Sequence, residues 1–292
     1  MKYRFRVEDS GTFWFHPHVR GYDQIERGLY APFVVTGAED IDVTADRTFV
    51  VDDVKLQATG ELAPNGDPLD MMVGKQGNVL LLNGKRNGTI VVESGGRQRW
   101  RFVNSANGRY FTLRLGGHPF TVIGNDGGLL PKPYTTDTLL IVPGERYEVL
   151  VSFDDPEGTR TMLETLHYDR GHELPDQGAR PLAEIVVGPR SDRTLRPVPE
   201  TLRTIAPLAI SAATPMKRFL LQENENGAKD GPTITGWLIG HASVQTESRT
   251  RASVGRTRST SSAAPSCASP CTTSRLECGC STATSSSTPN AA

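Results

Sequence analysis

Between Ile41 and Val187 the chain is cut at short intervals by turn-forming pairs. They are Asn83-Gly84, Asn87-Gly88, Gly95-Gly96, Gly116-Gly117, Asp126-Gly127-Gly128 and Pro143-Gly144. Such pairs supply the positive φ or the fixed φ that tight turns need. The pieces between them are too short for helices and rich in β-branched and aromatic residues. Strands are expected at Thr48 to Asp52, Val79 to Leu82, Thr89 to Glu93, Arg99 to Val103 and Phe111 to Leu115. More follow at Phe120 to Ile123, Thr138 to Val142, Tyr147 to Phe153 and Ala183 to Val187. Regular strands with regular turns are the pattern of an all-β sandwich.

The flanks are less complete. Met1 to Gly37 reads as strands at Tyr3 to Val7, Thr12 to His18 and Ala31 to Val35, too little for a domain of its own. Gly188 to Pro215 reads as a Pro- and Arg-rich connector, with two further strands at Arg218 to Gln222 and Trp237 to Ile239. From Ser243 onward 22 of 50 residues are Ser or Thr and none is aromatic. Such a segment buries too little apolar area to offset its ordering entropy. The expected organisation is therefore 1–37, 38–190, 191–242, and a disordered tail at 243–292.

Charge and hydropathy exclude some functions. The net charge is -1, which favours neither a nucleic acid nor an anionic membrane. No apolar stretch approaches a membrane span, and the N-terminus lacks the apolar core of a signal peptide.

The chemistry concentrates in Gly11-Thr12-Phe13-Trp14-Phe15-His16-Pro17-His18. On a strand, His16 and His18 point to the same side, roughly 7 Å apart. Imidazoles suit copper, zinc, iron and nickel. His118, His167, His172 and His241 lack that spacing and are expected at the surface or hydrogen-bonded in a core. The cysteines Cys267, Cys271, Cys278 and Cys280 fit no common zinc pattern and are expected as oxidation-prone thiols.

The histidine stretch, followed by Gly28-Leu29-Tyr30-Ala31-Pro32-Phe33-Val34-Val35, closely resembles the multicopper oxidase (laccase-type) family. The likeness continues in order through Leu82-Asn83-Gly84-Lys85, Arg99 to Asn104, Gly117 to Ile123, Asp126-Gly127-Gly128 and Val142 to Val151. It implies cupredoxin-like Greek-key sandwiches: the end of a first domain, all of a second and the start of a third. It implies His16 and His18 as ligands of the dinuclear type 3 copper pair. It also implies an oxidase that takes electrons from phenols, aromatic amines or metal ions and reduces dioxygen to water.

In that family the copper cluster draws on four His-x-His pairs, and this sequence keeps one. The resemblance places the other first-domain pair upstream of Met1 and the last-domain ligands downstream of Ile239; no histidine follows His241, so type 1 and type 2 ligands are expected to be absent. A redox copper needs a complete ligand set. The alternative is a copper-free cupredoxin-like interaction protein. A two-domain copper enzyme would still need further histidines and a cysteine ligand. Family members are usually periplasmic or secreted.

Read one step out of frame, the tail permits strings expected of a third cupredoxin domain, such as HAFGTD from His241 onward and MHH at Cys271 to Thr273. The tail is therefore expected to be a frame-shifted translation, which resequencing tests. Unpaired strand edges in the N-terminal piece are expected to promote self-association, unless that piece packs on the middle domain.

Overall fold

The structure is a computed structural model that describes residues 4–37, 40–169 and 175–206, with two further strands at Arg218–Glu223 and Trp237–Ala242. The sequence beyond residue 242, including every cysteine, lies outside the described residues, as does His172.

The chain opens with β1 (Gly11–Phe15), a short helix α1 (Gly21–Glu26) and β2 (Ala31–Val35). Then come β3 (Ala45–Val54), helix α2 (Pro68–Val73), β4 (Val79–Leu82), β5 (Gly88–Ser94) and β6 (Gly96–Asn104). β7 (Phe111–Leu115), β8 (Phe120–Asn125), β9 (Gly128–Thr136) and β10 (Thr138–Ile141) follow. β11 (Arg146–Phe153), β12 (Arg160–Leu166) and β13 (Arg180–Arg190) complete the central body. β14 (Arg218–Glu223) pairs antiparallel with β15 (Trp237–Ala242).

Two sheets form the sandwich. One runs β10-β7-β12-β13-β5, the other β4-β3-β6-β11-β8-β9. Most neighbours are antiparallel, but β3 lies parallel to β6 and β13 parallel to β5. The period-2 pattern explains the core. In β5, Ile90 and Val92 point inward while Thr89, Val91 and Glu93 point outward. Both sheets contribute to one buried cluster that includes Trp100, Phe102, Phe111, Phe120, Phe153, Leu163 and Ile185. Phe49 and Trp100 meet edge-on at 5.2 Å, as ring quadrupoles favour.

β6 is buried on both faces except at Arg97. Trp100 and Phe102 face the core, and Arg99 and Arg101 face outward beneath other chain segments. The stretch after β13 forms part of that cover, with no strand of its own between 191 and 206. Val198 and Leu202 pack with Ile41 and Val43 over Ile123, Leu129 and Leu150.

The structure corrects several expectations. Residues 4–8 form no strand, so the described part of the strand expected at Tyr3 to Val7 is not one. β1 stops at Phe15, and His16 to His18 lie beyond it. β9 is an additional strand; its Pro131 and Pro133 obscured it, yet it sits on a sheet edge, where proline is tolerated. β12 is a second addition, an interior strand masked by its charged and polar residues. α1 and α2 are too short to show a helical period. Asp67 caps α2 by accepting from the Leu69 amide at 2.9 Å, and Pro68 starts the helix.

Candidate metal centre

β1 and β2 form a two-stranded hairpin whose register runs from Gly11↔Val35 to Phe15↔Ala31. Pairing ends there, and Pro17 has no amide to extend it. His16 therefore sits just past the last paired residue, half-buried, and His18 sits in an exposed bend before α1. The two imidazoles are brought together by ring stacking and not by strand alternation. Trp14 stacks on His16 at 4.5 Å, and His16 on His18 at 4.9 Å with 20° between planes. His16 Nδ1 lies 3.0 Å from the Pro17 carbonyl. A carbonyl only accepts, so Nδ1 donates and a neutral His16 keeps its lone pair on Nε2. Ligating histidines commonly use their second nitrogen in this way.

The chemistry of copper is compatible with these donors, but the set is short. Among the described residues no group of three or more His, Cys, Asp or Glu is placed to hold a metal. Nearly parallel rings 4.9 Å apart also cannot aim two in-plane lone pairs at one ion about 2 Å from each. Rings in this arrangement offer one nitrogen each to at most two separate ions. The pair does not close a copper centre by itself.

What holds the histidine hairpin is a buried polar network. Thr12, fully buried, donates to Glu148 Oε1 at 2.6 Å. Glu148 is also paired with Arg99 and with Arg101, the latter at 2.7 Å. Arg101 reaches on to Asp46 with two bonds of 2.7 and 2.8 Å. Arg146 donates to the Thr12 carbonyl at 3.1 Å. A buried carboxylate is tolerated because cations and a hydroxyl satisfy it.

A second set of contacts seats α1 and the start of β2. Glu26 pairs with Lys75 at 3.2 Å and accepts from the Lys55 amide at 3.1 Å. Asn107 donates to the Tyr22 carbonyl at 2.9 Å. Tyr30 donates to Asp52 Oδ2 at 2.5 Å. Burial pushes Asp52 up to about 7, and burial with the Asp52 charge raises the Tyr30 phenol well above its ordinary value.

His118 and His167 have ordinary polar neighbours. His118 Nδ1 lies 3.2 Å from the Ser152 carbonyl, Nε2 lies 3.4 Å from Asp155, and the ring packs on Phe153. His167 lies 3.6 Å from Asp176. His241 is on β15, opposite Phe219. Sequence reasoning missed the anchoring residues Thr12, Tyr30, Asp52 and Glu148. The available signal was Glu148, a lone acid inside the apolar run of β11.

A cupredoxin-type sandwich carrying a docked His-Pro-His hairpin defines the class of protein. Comparison with known proteins agrees: one multicopper oxidase family model matches residues 50–178 and a second matches residues 1–40. The chain belongs to the multicopper oxidase family. It is 27% identical to multicopper oxidase LPR1 homolog 1 of rice (Oryza sativa subsp. japonica), over 78% of this chain and 42% of that one. It is 33% identical to the cell division protein FtsP of Edwardsiella tarda, over 51% of this chain and 33% of that one. Among solved structures it is similar to a multicopper oxidase from Campylobacter jejuni, described as a metallo-oxidase. The TM-score there is 0.62 and the identity 25%, covering 74% of this chain and 45% of that one. The chain thus spans less than half the length of each of these relatives.

Proposed function

We propose that this chain contributes to a copper-dependent oxidase of laccase type. Such an enzyme oxidises phenols, aromatic amines or low-valent metal ions, and its copper cluster passes the electrons to dioxygen. His16 and His18 act as two ligands of the dinuclear copper pair, and the sandwich is the scaffold that holds their hairpin. The observation that carries this reading is the stacked His16–His18 pair, with Nδ1 of His16 turned to a carbonyl. Purified protein, loaded with copper and dialysed, tests it by metal analysis beside His16→Ala and His18→Ala. Copper retained by the parent and lost by both variants supports the assignment. Equal, negligible copper in all three overturns it. Oxygen uptake with a phenol then tests whether the copper is catalytic.

A second reading is a copper-free interaction protein. It is favoured by the short donor set among the described residues and by the similarity to a cell division protein. Stable partner capture by metal-free protein, unchanged in both histidine variants, distinguishes it.

A further inference from the structure

We propose that the middle domain carries a binding pocket for a small aromatic carboxylate of the benzoate class, between α2 and the ends of β12 and β13. The cavity measures about 210 Å³ and is separate from the histidine pair. Three cations line it: Lys55, Arg109 and Arg180. Two of them are neutralised within the protein. Lys55 binds both oxygens of Asp70, at 2.8 and 2.7 Å, with Asp67 3.6 Å away. Arg109 binds Asp53 at 2.5 Å.

Arg180 differs. Its guanidinium donates to the Asn78 carbonyl at 2.7 Å and to Gln177 Oε1 at 3.1 Å, and among the described residues no carboxylate is hydrogen-bonded to it. Gln177 Oε1 also accepts from Arg109 at 3.4 Å, so one neutral amide lies between two guanidinium groups. Burial first, and then the Arg109 charge, hold the Arg180 pKa below its ordinary value, with Asp53 offsetting part of the effect. A guanidinium has five N–H donors, and the fork matches a carboxylate.

The remaining walls select the rest of the ligand. Tyr110 and Tyr168 stack at 5.2 Å with 28° between planes, and Val73 and Leu69 add aliphatic surface. Aromatic and aliphatic walls with one convergent charge suit a planar apolar ring bearing a single negative group. A bare inorganic anion would use the charge and leave those walls wet.

Isothermal titration of the full chain, metal-free and at constant ionic strength, tests this with sodium benzoate, benzamide, sodium acetate and inorganic phosphate. Saturable binding of benzoate is expected, with the other three at least about tenfold weaker, since each lacks either the charge or the ring. Arg180→Gln is expected to weaken benzoate by about tenfold or more, and Tyr168→Ala by several-fold. Thermal unfolding followed by circular dichroism confirms that both variants fold. Four results each overturn the proposal: no saturable benzoate binding, benzamide binding as well as benzoate, phosphate binding as well as benzoate, or unchanged affinity in Arg180→Gln. The benzoate–benzamide comparison needs only the parent protein, so it decides even where a variant does not fold. Copper plays no part in any arm.

Discussion

Glu148 is 1% exposed and meets Arg99, Arg101 and Thr12 at the junction between hairpin and sandwich. Removing one partner from a buried ion pair leaves an uncompensated charge, at a cost of about 3–5 kcal/mol. Glu148→Gln is therefore expected to lose about that much stability in urea unfolding. Asp46→Asn cuts the same chain of charges at a half-exposed carboxylate, and a loss under about 1 kcal/mol is expected. Equal losses would mean that burial does not set the value of these pairs. Asp52 makes a prediction of opposite character. Its carboxyl is raised to about 7 by burial, despite the Tyr30 bond, and Asp53 and Glu26 add like charge. The folded state keeps a proton that the unfolded state releases above about 4. This contribution to stability is complete below pH 4 and is lost as pH rises through 7. The slope is at most about 1.4 kcal/mol per pH unit. Asp52→Asn removes it, so the stability difference between parent and variant should change between pH 5 and 7 and level off above 8. A difference flat across that range would show that Asp52 ionises as it does in the unfolded chain.

At the scale of elements, the docking of β1 depends on close backbone approach. Gly128 begins β9 with φ +89°, and a Cβ there would lie 2.7 Å from the Ser10 carbonyl oxygen. Gly11 faces Gly128 from the other side, its own Cβ position 3.2 Å from the Gly128 Cα. Gly128→Ala is thus both strained in φ and in collision with the chain entering β1. Limited proteolysis should then cut residues 4–37 faster than in the parent, with the sandwich itself resisting as before. Unchanged cleavage would disprove the close contact. The same elements show what could be seen in advance. β4 and β7 match the expected bounds to the residue, because apolar alternation between Gly-rich turns is a local signal. β9 and β12 escaped because their places depend on neighbours: an edge that tolerates proline, and a flank that pairs Glu164 with Arg114 across strands. At the histidine site, the sequence drew attention to His16 and His18 but did not show their geometry. Trp14 is still in β1, but His16 and His18 stack beyond its last paired residue, where strand register no longer places them. Thr12 and Glu148 are 136 positions apart, and no local pattern joins them.

For the whole molecule, self-association through the outward face of the hairpin is the expected behaviour. The hairpin packs on the sandwich through Thr12, Tyr30 and α1, which is the condition under which its open edges were not expected to drive self-association. Even so, among the described residues several large apolar side chains of this piece stay exposed: Phe5 70%, Phe15 61%, Val19 77% and Leu29 52%, all in the first 30 residues. Phe33 remains 37% exposed, with the Phe5 ring beside it, centroids 6.1 Å apart and tilted. An isolated two-stranded sheet is marginal in water and presents open backbone edges beside this apolar surface. Clustered exposed apolar groups drive association when a monomer has nothing else to cover them. Sedimentation velocity over a concentration series should therefore show the average mass rising with loading. Phe15→Ser combined with Phe33→Ser should return the protein toward monomer without loss of the β-sheet dichroism, because neither side chain belongs to the core between the sheets. A parent that stays monodisperse across the series would show that the face is too small to bind a second copy. An association that persists in the double variant would move its cause from these rings to the open strand edges.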